Sequence, residues 1–197
     1  LGVKNEDALN DARKTLYKAV IYLEEVVTNY IDAAFSEYED KVAEIRNLPE
    51  SKRYYLVRKL GLAIRLVVDA YGDNTKWRWT FVELEARFAA VAKNILDLKS
   101  ASKNGLDPHS PEYDDTVYHL RLVKRLLQQA ADRYREKYEL STGRMDDFRL
   151  AINYLLALRR IHIILGETAE AEEMKRKAEI WKEKMEKDHK KQEAERK

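Results

Sequence analysis

Four histidines, no cysteines and six glycines bound the chemistry that this 197-residue chain can perform. Asp115 and His119 stand four apart, which places both on one face of a helix where they could share an ion. A metal centre needs further ligands converging on the same point, and none has suitable spacing, so the pair reads as an exposed polar contact. Glu186 and His189 form a Glu-x-x-His element. Di-iron bundles use that element twice, with further glutamates facing inward from core helices. Here it occurs once, in a polar tail, so no metal is expected. Without cysteine there is no thiol nucleophile, no disulfide and no thiolate-bound zinc. The serines, Ser110 and Ser141 among them, lack the glycine-flanked elbow of a nucleophile. Four of the six glycines, Gly72, Gly105, Gly143 and Gly166, fall where helices should end rather than in a phosphate loop. The carboxylates sit on outer helix faces, leaving no buried acid/base pair. The expectation is a non-enzyme with no catalytic residue, cofactor, metal or small-molecule substrate.

Charge balance narrows the partners. Thirty-seven basic and thirty-five acidic side chains leave a net charge of +2. A surface that tracks phosphates is usually far more one-sided, so no nucleic-acid partner is expected. Arg121, Arg125 and Arg133, with Arg159 and Arg160, read as solvated faces paired with acids. No apolar run reaches the eighteen or so residues that a membrane span needs, so no membrane insertion is expected. The chain begins at Leu1, so an N-terminal leader or longer segment is expected to have been removed.

The aromatic side chains are the residues left to do something. There are twelve tyrosines, three tryptophans and four phenylalanines. Most fall on helical stripes and read as core. Trp79, Tyr54, Tyr55, Tyr118 and Tyr22 fall off them, and tyrosine and tryptophan are favoured at protein interfaces. These five are the candidate partner contacts, either for another protein or for self-assembly.

The elements that must position them are helices. Three prolines and six glycines leave little room for turn or strand, and 37% of residues are charged. From Glu6 to Arg46 there is neither proline nor glycine, and apolar residues recur from Leu9 to Ile45 at steps of three and four. One continuous helix over that stretch would be roughly 60 Å long. A second helix over residues 50–71 is apolar on most sides, as is a fifth over 145–165, so these two should form the centre. A third helix over 75–102 carries the heptad seam Trp77, Phe81, Leu84, Phe88, Val91, Ile95, Leu98, which predicts coiled-coil-like packing. Gly61, inside the second helix, predicts a close helix approach. A fourth helix covers 111–140, and a sixth begins at Thr168. The fold class is all-α: an elongated bundle of about six helices with a long first helix, mostly up-and-down. Residues 1–185 read as a single domain, and 186–197 as a polar tail, helical or frayed.

The final hairpin resembles one tetratricopeptide unit, with Leu158, the Gly166 turn, Ala171 and Ala178 at that family's small-residue positions. It departs from the pattern at Arg159, His162, Lys175 and Glu183, and a solenoid needs three or more units. A helical adaptor that binds peptide segments is therefore the alternative function. The whole chain resembles the flagellar-coiling proteins of spirochaetes. The likeness lies in the long 6–46 helix, the successive tyrosine-rich helices, the loop from Asn104 to Pro111 and the charged last helix. That resemblance implies a non-enzymatic periplasmic protein, exported with a leader, that coats the flagellar filament and helps to curve it for motility. It carries no catalytic residues over. The function expected is structural, exerted through protein–protein contacts along helix faces.

Overall fold

The computed structural model describes residues 6–28, 30–31, 44–45, 47–72 and 75–195. Among them are seven α-helices and no strand: α1 (Glu6–Val27), α2 (Glu50–Tyr71), α3 (Arg78–Asn94), α4 (Leu98–Leu106), α5 (Tyr113–Lys137), α6 (Met145–Ile164) and α7 (Thr168–Glu195). The protein is an all-α bundle, as the helical periodicity requires. Residues up to Thr28 together with 44–123 gather into one compact unit, and Tyr30, Ile31 and 124–195 into a second, so the division falls inside α5.

The first helix is long, 22 residues, but it stops at Val27 rather than running to Arg46. Thr28 has a left-handed backbone with φ of 66°, a conformation that a β-branched residue adopts only under constraint. Two β-branched valines precede it and weaken the last turn. The side chain of Asn94 then donates to the Thr28 carbonyl at 3.0 Å, holding the chain where it leaves the helix. The stripe positions Ala34, Tyr38 and Val42 lie outside the described residues.

In the first unit the buried centre is α3, not α2. From Phe81 to Asn94 nearly every residue of α3 is buried, including Ala86, Ala89, Ala90 and Ala92. Those small side chains let α1 and α2 approach closely, and Gly61 shows how closely. A Cβ built on it would lie 2.9 Å from the Phe88 ring, which confirms the close approach expected there. The heptad seam is likewise buried from Phe81 onward. Since α3 takes the centre, α2 needs only one inward face. It buries Arg53, Tyr54, Val57 and Ile64, while Leu56, Leu62 and Leu66 stand exposed. Polar links tie α1 down: Tyr17 donates to Glu83 at 2.6 Å, Arg87 pairs with Glu24 at 2.9 Å, and Tyr71 donates to Asn10 at 2.8 Å.

The third helix also breaks earlier than its periodicity suggests. It ends at Asn94, and Asp97 caps a new helix, α4, by accepting from the Ser100 backbone N–H at 3.2 Å. Hydrophobic period alone cannot see such a break, because Ile95 and Leu98 keep the phase of the seam.

In the second unit α6 is the buried centre, as expected for it. Phe148, Ala151, Leu155, Ala157 and Ile161 are each almost fully enclosed. Aromatic rings interlock around it: Tyr138 stacks on Phe148 at 4.7 Å, and Trp181 of α7 meets Phe148 at 6.2 Å. α5 does not end cleanly but runs into a π-helical turn, Tyr138–Thr142, closed by Gly143 at φ 58°. α7 continues through the polar stretch as far as Glu195.

Truncating the enclosed side chains Phe88→Ala and Leu155→Ala should each destabilise the protein by about 3–5 kcal/mol. Leu62→Ala should change stability by less than about 0.5 kcal/mol. Denaturant unfolding monitored by circular dichroism distinguishes the two classes, and equal losses for Leu62 and Phe88 would contradict the placement of α3 at the centre.

Candidate functional site

The five aromatic candidates separate once the fold is known. Tyr54 is wholly buried, so it belongs to the core of the first unit and cannot meet a partner. Its neighbour Tyr55, about 100° further round the same helix, is 57% exposed. Tyr118 is 53% exposed and Tyr22 63%. Trp79 is half-buried, with the Arg78 guanidinium 4.8 Å from its ring centre. One of the four surface candidates meets α2: the Arg58 guanidinium lies 5.1 Å from the Tyr118 ring centre. An ion pair with Asp115 at 2.7 Å holds that guanidinium in place. Tyr22 stands apart on α1, one turn from the exposed Val26.

Residues outside the sequence-based set complete the surface. Leu62 and Leu66 project from the same side of α2 as Tyr55, at 45% and 58% exposure, opposite the helix's buried face. An apolar helix exposing leucine and tyrosine on its outward side is the kind of patch that marks interaction sites. Periodicity does not single these leucines out, because α2 is apolar nearly all round. The signal that could have singled them out is the Lys52, Lys59 and Asp69 interleaved along the same stripe.

Behind this surface lies a buried polar node. The end of α3 releases carbonyls that no helical N–H reaches. Nε2 of His119 donates to the Ala92 carbonyl at 2.9 Å, and the Arg53 guanidinium donates to that of Ile95 at 3.1 Å. His119 stacks on Tyr54 with ring centres 4.3 Å apart. Burial, together with the nearby Arg58 and Arg53 charges, outweighs the bond to Ala92 and pulls the histidine down to about 4. Burial and the Glu50 charge push the Tyr54 phenol well up. His119 and Asp115 thus do not form the exposed pair expected from their spacing. One is sealed in the core, and the other faces Arg58. Enclosed within the first unit, His119 ties α5 to the end of α3.

The second unit holds polar nodes of its own. Asp147 at the start of α6 is buried against expectation, and it accepts from Thr142 at 2.6 Å and Lys137 at 3.1 Å. At the turn into α7, Glu167 joins His162 and Lys124, the latter at 2.8 Å. Partial burial would raise the Glu167 carboxyl, but the hydrogen bonds from Lys124 and His162 prevail and hold it below the usual range. Tyr138 donates to Asp188 at 2.8 Å, and burial, helped by that carboxylate, pushes the phenol up to about 12. Ala171 and Ala178 are buried in the α6–α7 hairpin. Two open grooves of about 470 and 310 Å³ flank Met145 and His189 at that hairpin's end, lined by polar and charged side chains of both signs. Among the described residues, no three His, Asp or Glu side chains come together as a metal-holding group. No helix among them is long and apolar enough to cross a membrane.

The low proton affinity of His119 has a thermodynamic consequence. The unfolded histidine protonates near pH 6.5, whereas the folded one stays neutral to about pH 4. Between those values the unfolded state binds the extra proton, so stability falls as the pH is lowered through that window. The full drop from this one group should be about 3 kcal/mol. A His119→Phe variant retains the ring stack and should lose that component, with the difference measured by urea unfolding at pH 7 and pH 4.5. Parallel curves for the two proteins would show that His119 takes up its proton equally in the folded and unfolded states.

No curated protein and no solved structure matches the chain. A family model does, over residues 1–189, nearly the whole length. The name of that family is a treponemal one, which fits a spirochaete protein. The chain belongs to the TP0443 family.

Proposed function

We propose that this protein is a non-enzymatic structural or assembly protein that works through protein–protein contacts on its exposed helix faces. The observation that carries the reading is the outward face of α2, where Tyr55, Leu62 and Leu66 stand exposed along one side of the helix. The helical fold and the spirochaete family are compatible with it. The polar groups point the same way. The histidine with the most altered proton affinity is enclosed, and the buried Asp147 is tied to Lys137 and Thr142. The finer role, a periplasmic component of the flagellar filament coat that helps curve the filament, follows from the resemblance to flagellar-coiling proteins.

Site-specific photocrosslinking in spirochaete cells tests both levels. A photoreactive residue at Tyr55, Tyr118 or Tyr22 should yield covalent adducts, while the same probe at the buried Phe148 should yield none. Adducts with flagellar filament proteins support the coat role. Adducts confined to other proteins keep the interaction function and remove the coat role. An absence of adducts at all three surface positions overturns the interaction reading.

A further inference from the structure

The outward side of α2 has an order that a merely greasy face would lack. Lys52, Tyr55, Lys59, Leu62, Leu66 and Asp69 are all exposed, and their spacing is 3, 4, 3, 4, 3. Those are consecutive a and d positions of a heptad seam, on the side of the helix away from Val57 and Ile64. The seam is also self-complementary when reversed. Helices paired antiparallel bring each a position against a d position of the other. With the two-fold axis between Leu60 and Gly61, Tyr55 meets Leu66 of the second copy, and Lys59 meets its Leu62. At both ends Lys52 meets Asp69, opposite charges at matching distances from the axis.

We propose that the occupant of this face is a second copy of the same chain, joined by antiparallel pairing of α2 about that two-fold axis. This pairing deepens the interaction function above and rests on it. The Lys59 amino group already lies 5.2 Å from the Tyr55 ring centre, so its aliphatic stem runs along the seam and can cover the opposing leucine. On one flank Leu56 faces Ala63 of the second copy. On the other, Arg58 approaches Arg65, but Arg58 is already paired with Asp115 at 2.7 Å, so two bare cations do not meet. A 22-residue helix is about 33 Å long, and one such face falls short of a standard interface, so the association is weak and concentration-dependent.

Sedimentation velocity of the whole chain from about 10 µM to about 1 mM at low salt is the test. The wild-type protein should form a reversible dimer. Leu62→Asp should raise the dissociation constant on the order of tenfold or more. Lys52→Asp and Asp69→Lys each juxtapose like charges at both ends and should weaken pairing on the order of tenfold. Combining the two swaps in one chain, or mixing the two single variants in equal amounts, should restore it. Circular dichroism and melting should be unchanged for the charge variants, which keep the test intact even if Leu62→Asp unfolds. A wild-type protein that stays monomeric throughout, a dimer indifferent to a folded Leu62→Asp, or swaps that are not restored on combination would each overturn the pairing. Photo-adducts from Tyr55 to other proteins, with a monomeric wild type, would overturn self-pairing alone and leave the interaction function standing.

Discussion

The buried end of α3 is the constraint on which the first unit depends. A helix that terminates inside a core releases carbonyls into a medium that cannot solvate them, and each unsatisfied group costs on the order of 1–3 kcal/mol. Here the groups sent to meet them come from distant points of the sequence. Arg53 from α2 reaches Ile95, and His119 from α5 reaches Ala92. Asn94, on the end itself, reaches across to Thr28 and sets where α1 stops. A cation at a helix C-terminus is also favoured by the peptide dipoles, which helps to explain why an arginine is tolerated at this depth. The break between α3 and α4 is therefore a junction that orders α1, α2 and α5 at once.

The second unit meets the same requirement by different means. Its central helix, α6, is enclosed by aromatic rings from the π-helical turn and α7, while its polar start is buried with Asp147. That carboxylate lies at a helix N-terminus, where the dipole favours negative charge, and Lys137 and Thr142 complete its shell. The π-helical turn that follows α5 brings Thr142 to this position. At the opposite end of α6, Glu167 takes hydrogen bonds from both Lys124 and His162 at the turn. These polar clusters hold helix ends in register.

The interior of the first unit leaves apolar surface over. Because α3 occupies the centre, α2 has more apolar surface than its inward face can use, and the remainder points to solvent as Tyr55, Leu62 and Leu66. Apolar residues scattered singly on a surface mean little, whereas a contiguous helical stripe of them is the kind of patch found at interaction sites. Membership of a spirochaete family and an all-helical fold are in keeping with such a protein.

The sequence by itself determined the all-α class, most helix boundaries after residue 47, the heptad seam of α3 and the central place of α6. Periodicity, caps and glycine stops are local, and local rules carry them. It also marked Tyr55, Tyr118 and Tyr22 as surface aromatics, because they lie off the principal stripes. Only the tertiary structure decided that α1 stops at Val27, that α3 rather than α2 is enclosed, and that Tyr54 and Tyr55 face opposite environments. It decided too that His119 is sealed in while Asp115 meets Arg58. The physical reason is common to all of these. A helix apolar on every side can bury any of its faces, and which one it buries depends on the volume of its neighbours. The alanines of α3 make that helix thin enough to sit between others. Which carbonyl lacks a partner is likewise known only when the chain has turned. A histidine twenty-seven residues away then becomes the donor that meets it.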